Sequence, residues 1–285
     1  MAQTGFQFRR AVLGLHHHPS RHGLSMAVDL ARLLGLDLFG LFVEEESLLR
    51  LAALPFAREF NPLDGWRPVE SGQLARDLQA AASSAQRSFA EAVKNLPSAC
   101  EFVIVRGSMA EAISTHARAG DIVMLSAPAA VGEYSAERFP LLIDTALRSA
   151  AAILLIPRQI ARQAGDVVAI ATRPDDPSIR LAAAVARAAN EELVIIELFE
   201  AGPDRSPPQD DRRVTRKAAR LAVSDPALLV AAFRGERERL VVVTHGAGDA
   251  SLPTILASWR RVPVLVIAPH DARAGEASPV DAPLP

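Results

Sequence analysis

The chain is poor in cysteine and in aromatic residues, and it carries almost no net charge. Cys100 is the only cysteine in 285 residues, so no internal disulfide can form and we expect a reducing compartment, the cytoplasm. The formal net charge is only -2, which gives no electrostatic basis for binding nucleic acid or an anionic membrane. We therefore expect neither as a partner.

Long apolar runs are also lacking. The apolar stretch near the N-terminus, before His16, is too short for a signal peptide. The longest apolar region, Phe139–Ile156, contains Asp144 and Arg148, so it is typical of a helix followed by a strand and not of a membrane span. No Ser/His/Asp or Cys/His arrangement can be recognised, so the sequence predicts no catalytic nucleophile and no enzyme.

What the chain does contain is a repeat. Each half opens on an apolar run that stops at a polar turn and closes on an apolar run that ends at proline. The opening runs are Val12–Gly14 and Val167–Ala171, and the closing runs are Ile153–Pro157 and Val264–Pro269. Runs this short, bounded by turn residues, predict strands buried on both faces of a parallel sheet.

The register of the repeat shows where the halves differ. The offset is 156 for Val12 with Val168 and for Val43 with Phe199, then 116 for Ser108 with Ser224 and 111 for Ile156 with Ile267. The second half thus lacks roughly 40 residues after its second strand. The long helical pattern Gln73–Leu96 has no counterpart there, and the polar loop Gly202–Asp211 stands in its place.

The predicted strands and helices alternate along both halves, which favours a parallel sheet with right-handed crossovers. In the first half we predict strands Arg10–Leu15, Leu36–Val43, Glu101–Val105, Ile122–Ser126 and Ala152–Ile156, and helices Ser20–Leu34, Gln73–Leu96, Met109–Ala117 and Leu141–Ser149. In the second half we predict strands Val167–Ala171, Leu193–Phe199, Lys217–Ala222, Leu240–Thr244 and Val264–Ile267, and helices Ser178–Asn190, Pro226–Arg234 and Ser251–Arg260.

This organisation predicts two α/β domains, each a five-stranded parallel sheet covered by helices. Residues 1–160 form the first, residues 161–270 form a second that lacks its second helix, and residues 271–285 form a disordered tail. The connection Leu48–Trp66 is unusually apolar. It is either a flap or partner surface over the first domain, or a short helix that covers the sheet edge, and we favour the helix.

A local motif in the second half carries a family resemblance. The sequence VVVTHGAG (Val241–Gly248) is followed by a helix and then by VPVLVIAP (Val262–Pro269). With the repeat, this resembles the universal stress protein family in its tandem form. The resemblance implies two α/β sandwiches of the adenine nucleotide alpha hydrolase-like fold. It also implies that they pair within one molecule through their last strands, Ile153–Ile156 and Val264–Ile267. A homodimer is a further expectation.

The resemblance also points to a nucleotide loop, with the pattern Gly-x2-Gly-x9-Gly-[Ser/Thr]. Glycines and a helix N-terminus bring backbone N–H groups and a favourable dipole to phosphates. Both halves depart from the pattern: Ala250 replaces a glycine in the second half, and acidic Glu133 and Glu137 accompany Gly132 in the first. If ATP or AMP binds, we expect it in the second half. The expected contacts are Thr172, Arg173, Thr244, His245, Gly246, Gly248 and Ser251.

The histidines of the segment HHHPSRH (His16–His22) raise the question of a metal site. Adjacent His side chains diverge, so at most His16 or His18 could share an ion with His22, and no structural zinc spacing is present. We therefore expect a solvated turn and no metal. Glu44, Glu45 and Glu46 are interpreted as a solvated strand end.

These observations predict a non-enzymatic stress-response protein with a regulatory or protective role and degenerate nucleotide loops. One alternative is a switch that binds ATP or AMP through the second-half loop. Another is a phosphoesterase or ATPase on the same scaffold, which would need a metal-holding acid together with a phosphate loop. The identity of any cofactor stays open.

Overall fold

The structure is a computed structural model, which describes residues 8–15, 21–61, 65–127, 134–198, 214–218, 233, 235–246 and 251–268. The first half contains β1 (Arg10–Leu15), α1 (Arg21–Leu34), β2 (Asp37–Glu45), α2 (Glu46–Ala52), β3 (Arg58–Asn61), β4 (Gly65–Pro68), α3 (Ser71–Val93), β5 (Cys100–Gly107), α4 (Met109–His116), β6 (Asp121–Ser126), α5 (Tyr134–Ser149) and β7 (Ala152–Ile156). The second contains β8 (Asp166–Ala171), α6 (Pro177–Ala189), β9 (Leu193–Glu197), β10 (Val214–Ala218), β11 (Glu238–Thr244), α7 (Leu252–Arg260) and β12 (Val264–Ile267).

Ten strands form one sheet in the order β10-β9-β8-β11-β12-β7-β6-β1-β2-β5. Within each half all neighbours are parallel, and both halves have the same strand order from edge to centre. At the centre β12 lies antiparallel to β7, with Val264 opposite Leu155 and Ile267 opposite Ala152. The halves are therefore related by an approximate twofold axis, and neither closing strand has a free edge.

Alternate residues of the strands belong to two separate hydrophobic cores, one on each face of the sheet. On one face Leu13, Leu154 and Ile195 pack beneath α1, α3 and α6. On the other, Val12 and Ile153 join a core with α4, α5 and α7. Helix α1 of the first half also packs against α6 of the second. Because both faces of the central strands are covered, their sequences are continuous apolar runs and do not alternate.

The strand pairing corrects the repeat register at one point. Leu38 lies beside Ala11 and Leu193 lies beside Val167, so the second strands correspond at an offset of 155. The offset of 156 for Val43 with Phe199 was therefore wrong by one residue. Counting within apolar runs cannot detect such a shift, because neighbouring positions are equally hydrophobic. Ile156 and Ile267 do correspond, since each carbonyl accepts an N–H from the residue after the fourth strand.

The third strand of the second half also differs from its prediction. It begins at Val214 and not at Lys217, and it pairs in parallel with β9. Thr215 and Arg216 are exposed at this sheet edge, and Arg216 forms a 2.6 Å ion pair with the buried carboxylate of Glu197. The loop Gly202–Asp211, most of the helix Pro226–Arg234 and the tail 271–285 lie outside the described residues.

The connection between β2 and α3 holds more structure than the sequence predicted. The expected short helix is present as α2, but a β3–β4 hairpin follows it, with Phe60 opposite Trp66. Helix α5 begins at Tyr134, earlier than the expected Leu141, and continues through Pro140. In the described part of the chain, no helix has both the length and the apolar character needed to cross a membrane.

Candidate functional site

A buried carboxylate organises the carboxyl end of the strands in the second half. Asp176 precedes α6 and is 1% exposed. Its Oδ2 accepts hydrogen bonds from the backbone N–H and the hydroxyl of Thr172, at 3.0 and 3.1 Å. Its Oδ1 accepts from the N–H of Ser178 at 3.0 Å and from the hydroxyl of Thr244 at 2.5 Å. One side chain thus joins the ends of β8 and β11 to the start of α6.

The same four contacts control the charge of Asp176. Burial by itself opposes ionisation, but the hydrogen bonds from Thr244, Thr172 and Ser178 outweigh it and lower the pKa of this carboxyl. The carboxylate is therefore ionised at neutral pH. Its negative charge lies between Thr172 and Thr244, two residues that the sequence proposed as phosphate contacts.

Helix α6 begins at Asp176 because the local sequence supplies both N-terminal signals. Asp176 caps the helix through its side chain, and Pro177 occupies the first turn, where a missing N–H costs nothing. The hydroxyl of Ser178 donates to the carbonyl of Ile170 at 2.9 Å. This second bond holds the helix start against the end of β8.

His245, directly after β11, contacts the other half of the molecule. Its Nε2 lies 2.9 Å from Oδ1 of Asp144 on α5, and its backbone N–H donates to the carbonyl of Ile267 at 2.8 Å. The side chains of His245 and Asp144 are both partly exposed. The imidazole thus contacts the first half of the molecule across the seam.

The other residues proposed to contact a nucleotide are not part of the Asp176 network. Arg173 is exposed, and its Nε lies 3.6 Å from Oδ1 of Asp175. Gly246 has a φ of +83°, and a Cβ there would meet none of the described residues within 4 Å. Ser251 precedes α7 without a capping hydrogen bond from its side chain. The positive φ of Gly246 is a backbone conformation that favours glycine at this turn. Gly248 lies outside the described residues.

The metal candidates cannot be placed. His16 and His18 lie outside the described residues, and so does the side chain of His22; the same holds for Gly132, Glu133 and the side chain of Glu137. Among the side chains that the structure does describe, no three His, Cys, Asp or Glu residues are grouped to hold a metal ion. Cys100 is free and exposed.

Sequence reasoning missed Asp176, the residue at the centre of this network. The family pattern directed attention to Thr172, the position directly after the first strand. The signal that could have found Asp176 is the Asp-Pro pair at a helix start, which favours a capping carboxylate. That it also binds Thr244, which is 68 residues away in sequence, follows only from the pairing of β8 with β11.

Comparison with known proteins rests on structure, because no family model and no curated protein matches the sequence. The chain superposes on a universal stress protein from Archaeoglobus fulgidus with a TM-score of 0.60 at 14% identity, covering 94% of this chain and 99% of that one. The chain has the universal stress protein fold. A functionally unknown protein from Pseudomonas aeruginosa shares it, with a TM-score of 0.53 at 13% identity and coverage of 93% and 95%.

The prediction of a two-repeat α/β fold of universal stress type is therefore confirmed. The universal stress protein fold places the carboxyl ends of β8 and β11 side by side, and ligands of open α/β sheets bind at such an edge.

The groove between the hairpin and α3, about 420 Å³ in volume, lies in the first half and is lined by residues such as Glu59, Arg67 and Asp77.

Proposed function

We propose that this chain is a non-enzymatic cytoplasmic stress-response protein of tandem universal stress type, with a regulatory or protective role. The observation that carries the proposal is the closed hydrogen-bond network around Asp176. Thr172 and Thr244, the hydroxyl residues best placed to contact a phosphate, are both committed to that carboxylate. The fold supports the assignment to the universal stress type.

The charge of Asp176 argues against an anionic ligand at this edge. Two like charges about 4 Å apart repel by roughly 4 kcal/mol at an effective dielectric constant of 20. A phosphate that approached the Thr244 hydroxyl would meet this repulsion. Arg173 offers limited compensation, because Asp175 already lies beside it. The scaffold therefore favours a protein that acts through its surface and not through phosphate chemistry.

A nucleotide-binding switch is the second candidate, and one observation favours it. Gly246 adopts a left-handed backbone with no described residue close to where a Cβ would lie, the kind of turn that lets a phosphate approach backbone N–H groups. Ser251 and the start of α7 follow this turn.

Calorimetric titration of the full-length protein with ATP, ADP and AMP distinguishes the two functions. We expect no saturable heat at millimolar nucleotide. Saturable binding in the micromolar range that Gly246→Val abolishes would establish the switch and overturn the proposal. Binding that Gly246→Val leaves unchanged would place the nucleotide elsewhere, with the segment His16–His22 examined next.

Turnover assays address the enzymatic alternative separately. The protein is incubated with ATP or p-nitrophenyl phosphate, with and without Mg²⁺, and phosphate release is followed. We expect release at the rate of the buffer. Release that rises in proportion to protein concentration would show a phosphoesterase or ATPase.

A further inference from the structure

The first half carries an apolar surface that its own fold leaves uncovered. Helix α2, the β3–β4 hairpin and the turn between them expose five large apolar side chains, which we call the aromatic face: Leu51, Leu54, Phe56, Phe60 and Trp66. Phe56 is 75% exposed, Phe60 is 61% exposed and Trp66 is 64% exposed. Isolated exposed apolar residues are ordinary, but a group of this size on one short segment is typical of an interaction surface.

The hairpin carries its rings on one face and a half-exposed ion pair on the other. Phe60 and Trp66 are cross-strand partners whose ring centroids lie 5.5 Å apart in an edge-to-face arrangement. The next pair along, Glu59 and Arg67, lies on the opposite face and forms a 2.6 Å ion pair. Both of these charged residues line the groove against α3. The rings and the ion pair thus lie on opposite faces of the hairpin, and the ring face is the one turned away from the groove.

The aromatic face is also held in place by the structure around it. The N–H of Ala57 donates to the carbonyl of Leu54, and the N–H of Val69 donates to the carbonyl of Ala57. Helix α2 packs against α3 and β5. On β5, the last strand of the sheet, Ile104 is 43% exposed. A fixed apolar surface beside an open strand edge needs little ordering before it can bind.

We propose that the aromatic face is the contact surface between two copies of this chain in a twofold-symmetric dimer. Three rings of roughly 150–250 Å² each, more than half exposed, and the neighbouring aliphatic side chains offer on the order of 600 Å² per copy. A standard stable interface buries about 800 Å² per partner. The two copies together would bury about 1,200 Å², the lower end of the range for stable interfaces. An isologous contact needs only one such surface, because it meets itself.

The charges near the aromatic face favour a second copy over a membrane. Four flanking charged residues form neutral pairs, Glu46 with Arg50 at 2.9 Å and Glu59 with Arg67, and the exposed Arg58, on the same hairpin face as Phe60, adds one positive charge. Each copy thus brings a single arginine beyond the neutral pairs to the contact, and not a basic cluster. A surface that binds anionic lipid would instead carry an excess of Lys and Arg around its apolar side chains.

The two tryptophans of the chain make the proposal directly testable. Trp66 lies on the aromatic face, and Trp259, which is 50% exposed, lies on α7 in the second half. The variant Trp259→Phe leaves Trp66 as the only tryptophan, and Trp66→Phe leaves Trp259. Acrylamide quenching of each variant is measured from nanomolar to high micromolar protein, with the mass followed by sedimentation.

The proposal predicts that Trp66 becomes shielded from acrylamide over the same concentrations at which the mass doubles, while quenching of Trp259 stays constant. Trp66→Ala should weaken the dimer about 30-fold, as expected for a central interface residue, and Trp259→Ala should leave it unchanged. Urea unfolding of both variants confirms that each is folded.

Four results would overturn the proposal. A mass that stays monomeric at high micromolar protein would exclude the dimer. A dimer in which Trp66 remains as accessible as in the monomer would place the interface elsewhere. Shielding of Trp66 that is independent of protein concentration would show that a segment of the same chain covers the face, and shielding that needs added phosphatidylcholine vesicles would assign it to a lipid surface.

Discussion

Replacing Asp176 tests the network at the edge of the second half. The change Asp176→Ala removes a helix N-cap, which typically costs about 1 kcal/mol. It also leaves the buried hydroxyl of Thr244 without its acceptor, at a further cost of about 1–3 kcal/mol. We expect the free energy of unfolding to fall by roughly 3 kcal/mol, or the melting temperature by roughly 6–10 °C for a chain of this size.

Two control variants separate the contributions. Asp176→Asn keeps an oxygen that can accept from Ser178 and Thr244 and is itself a good cap, so it should cost only about 1 kcal/mol. Asp175→Ala changes the adjacent carboxylate, whose side chain is 84% exposed, and should stay within about 0.5 kcal/mol of the wild type. Urea unfolding followed by circular dichroism gives all three values.

Acid unfolding provides an independent measure of the same carboxylate. Because the folded-state pKa of Asp176 is lowered, its contribution is fully present above the unfolded value of about 3.9 and disappears as the pH falls through the folded value. Asp176→Ala should therefore show a smaller loss of stability on acidification than the wild type. This reasoning would be refuted if Asp176→Ala lowered the free energy of unfolding by less than about 0.5 kcal/mol and lost as much stability on acidification as the wild type.

Three further substitutions test other parts of the structure. At Gly40 a Cβ would come within 2.5 Å of the ring of Phe102, so Gly40→Ala should lose about 1–3 kcal/mol in urea unfolding; an unchanged midpoint would show that the ring moves freely. Glu238 is 0% exposed and is held by Arg260 at 2.6 and 3.1 Å, so Arg260→Met should cost about 3–5 kcal/mol, whereas a neutral effect would contradict the burial of that charge. Burial, together with neighbouring glutamates, raises the pKa of Asp166, so Asp166→Asn should raise the melting temperature at neutral pH. That gain should vanish below pH of about 3.9, where the aspartate is protonated in both states, and a lower melting temperature at pH 7 would reverse the assignment.

Strand positions were predictable wherever a run of apolar residues ends in a clear turn. Arg10–Leu15, Ala152–Ile156 and Val264–Ile267 have the predicted bounds, because burial on both faces leaves a continuous apolar signal. Helix α4 begins at the predicted residue, Met109, and is capped by Ser108, whose side chain forms a capping box with that of Glu111. The β3–β4 hairpin was missed because its strands are only four residues long and place their rings in solvent, so no alternating pattern marks a core.

The site was less predictable than the fold, since its centre depends on residues distant in sequence. The sequence placed Thr172 and Thr244 at strand ends, which the structure shows as neighbours through Asp176. It had no means of showing that His245 reaches Asp144 in the other half. That contact depends on where α5 and the end of β11 meet across the twofold seam, which the expected pairing of the closing strands does not specify.

Native mass spectrometry of the protein purified without added nucleotide tests the central claim most directly. That claim is that the network around Asp176 closes the carboxyl edge of the second half to phosphate ligands. The account predicts masses of the polypeptide alone and of its dimer, with no small molecule retained. An adenine nucleotide bound at one per chain, and lost in Gly246→Val, would contradict it.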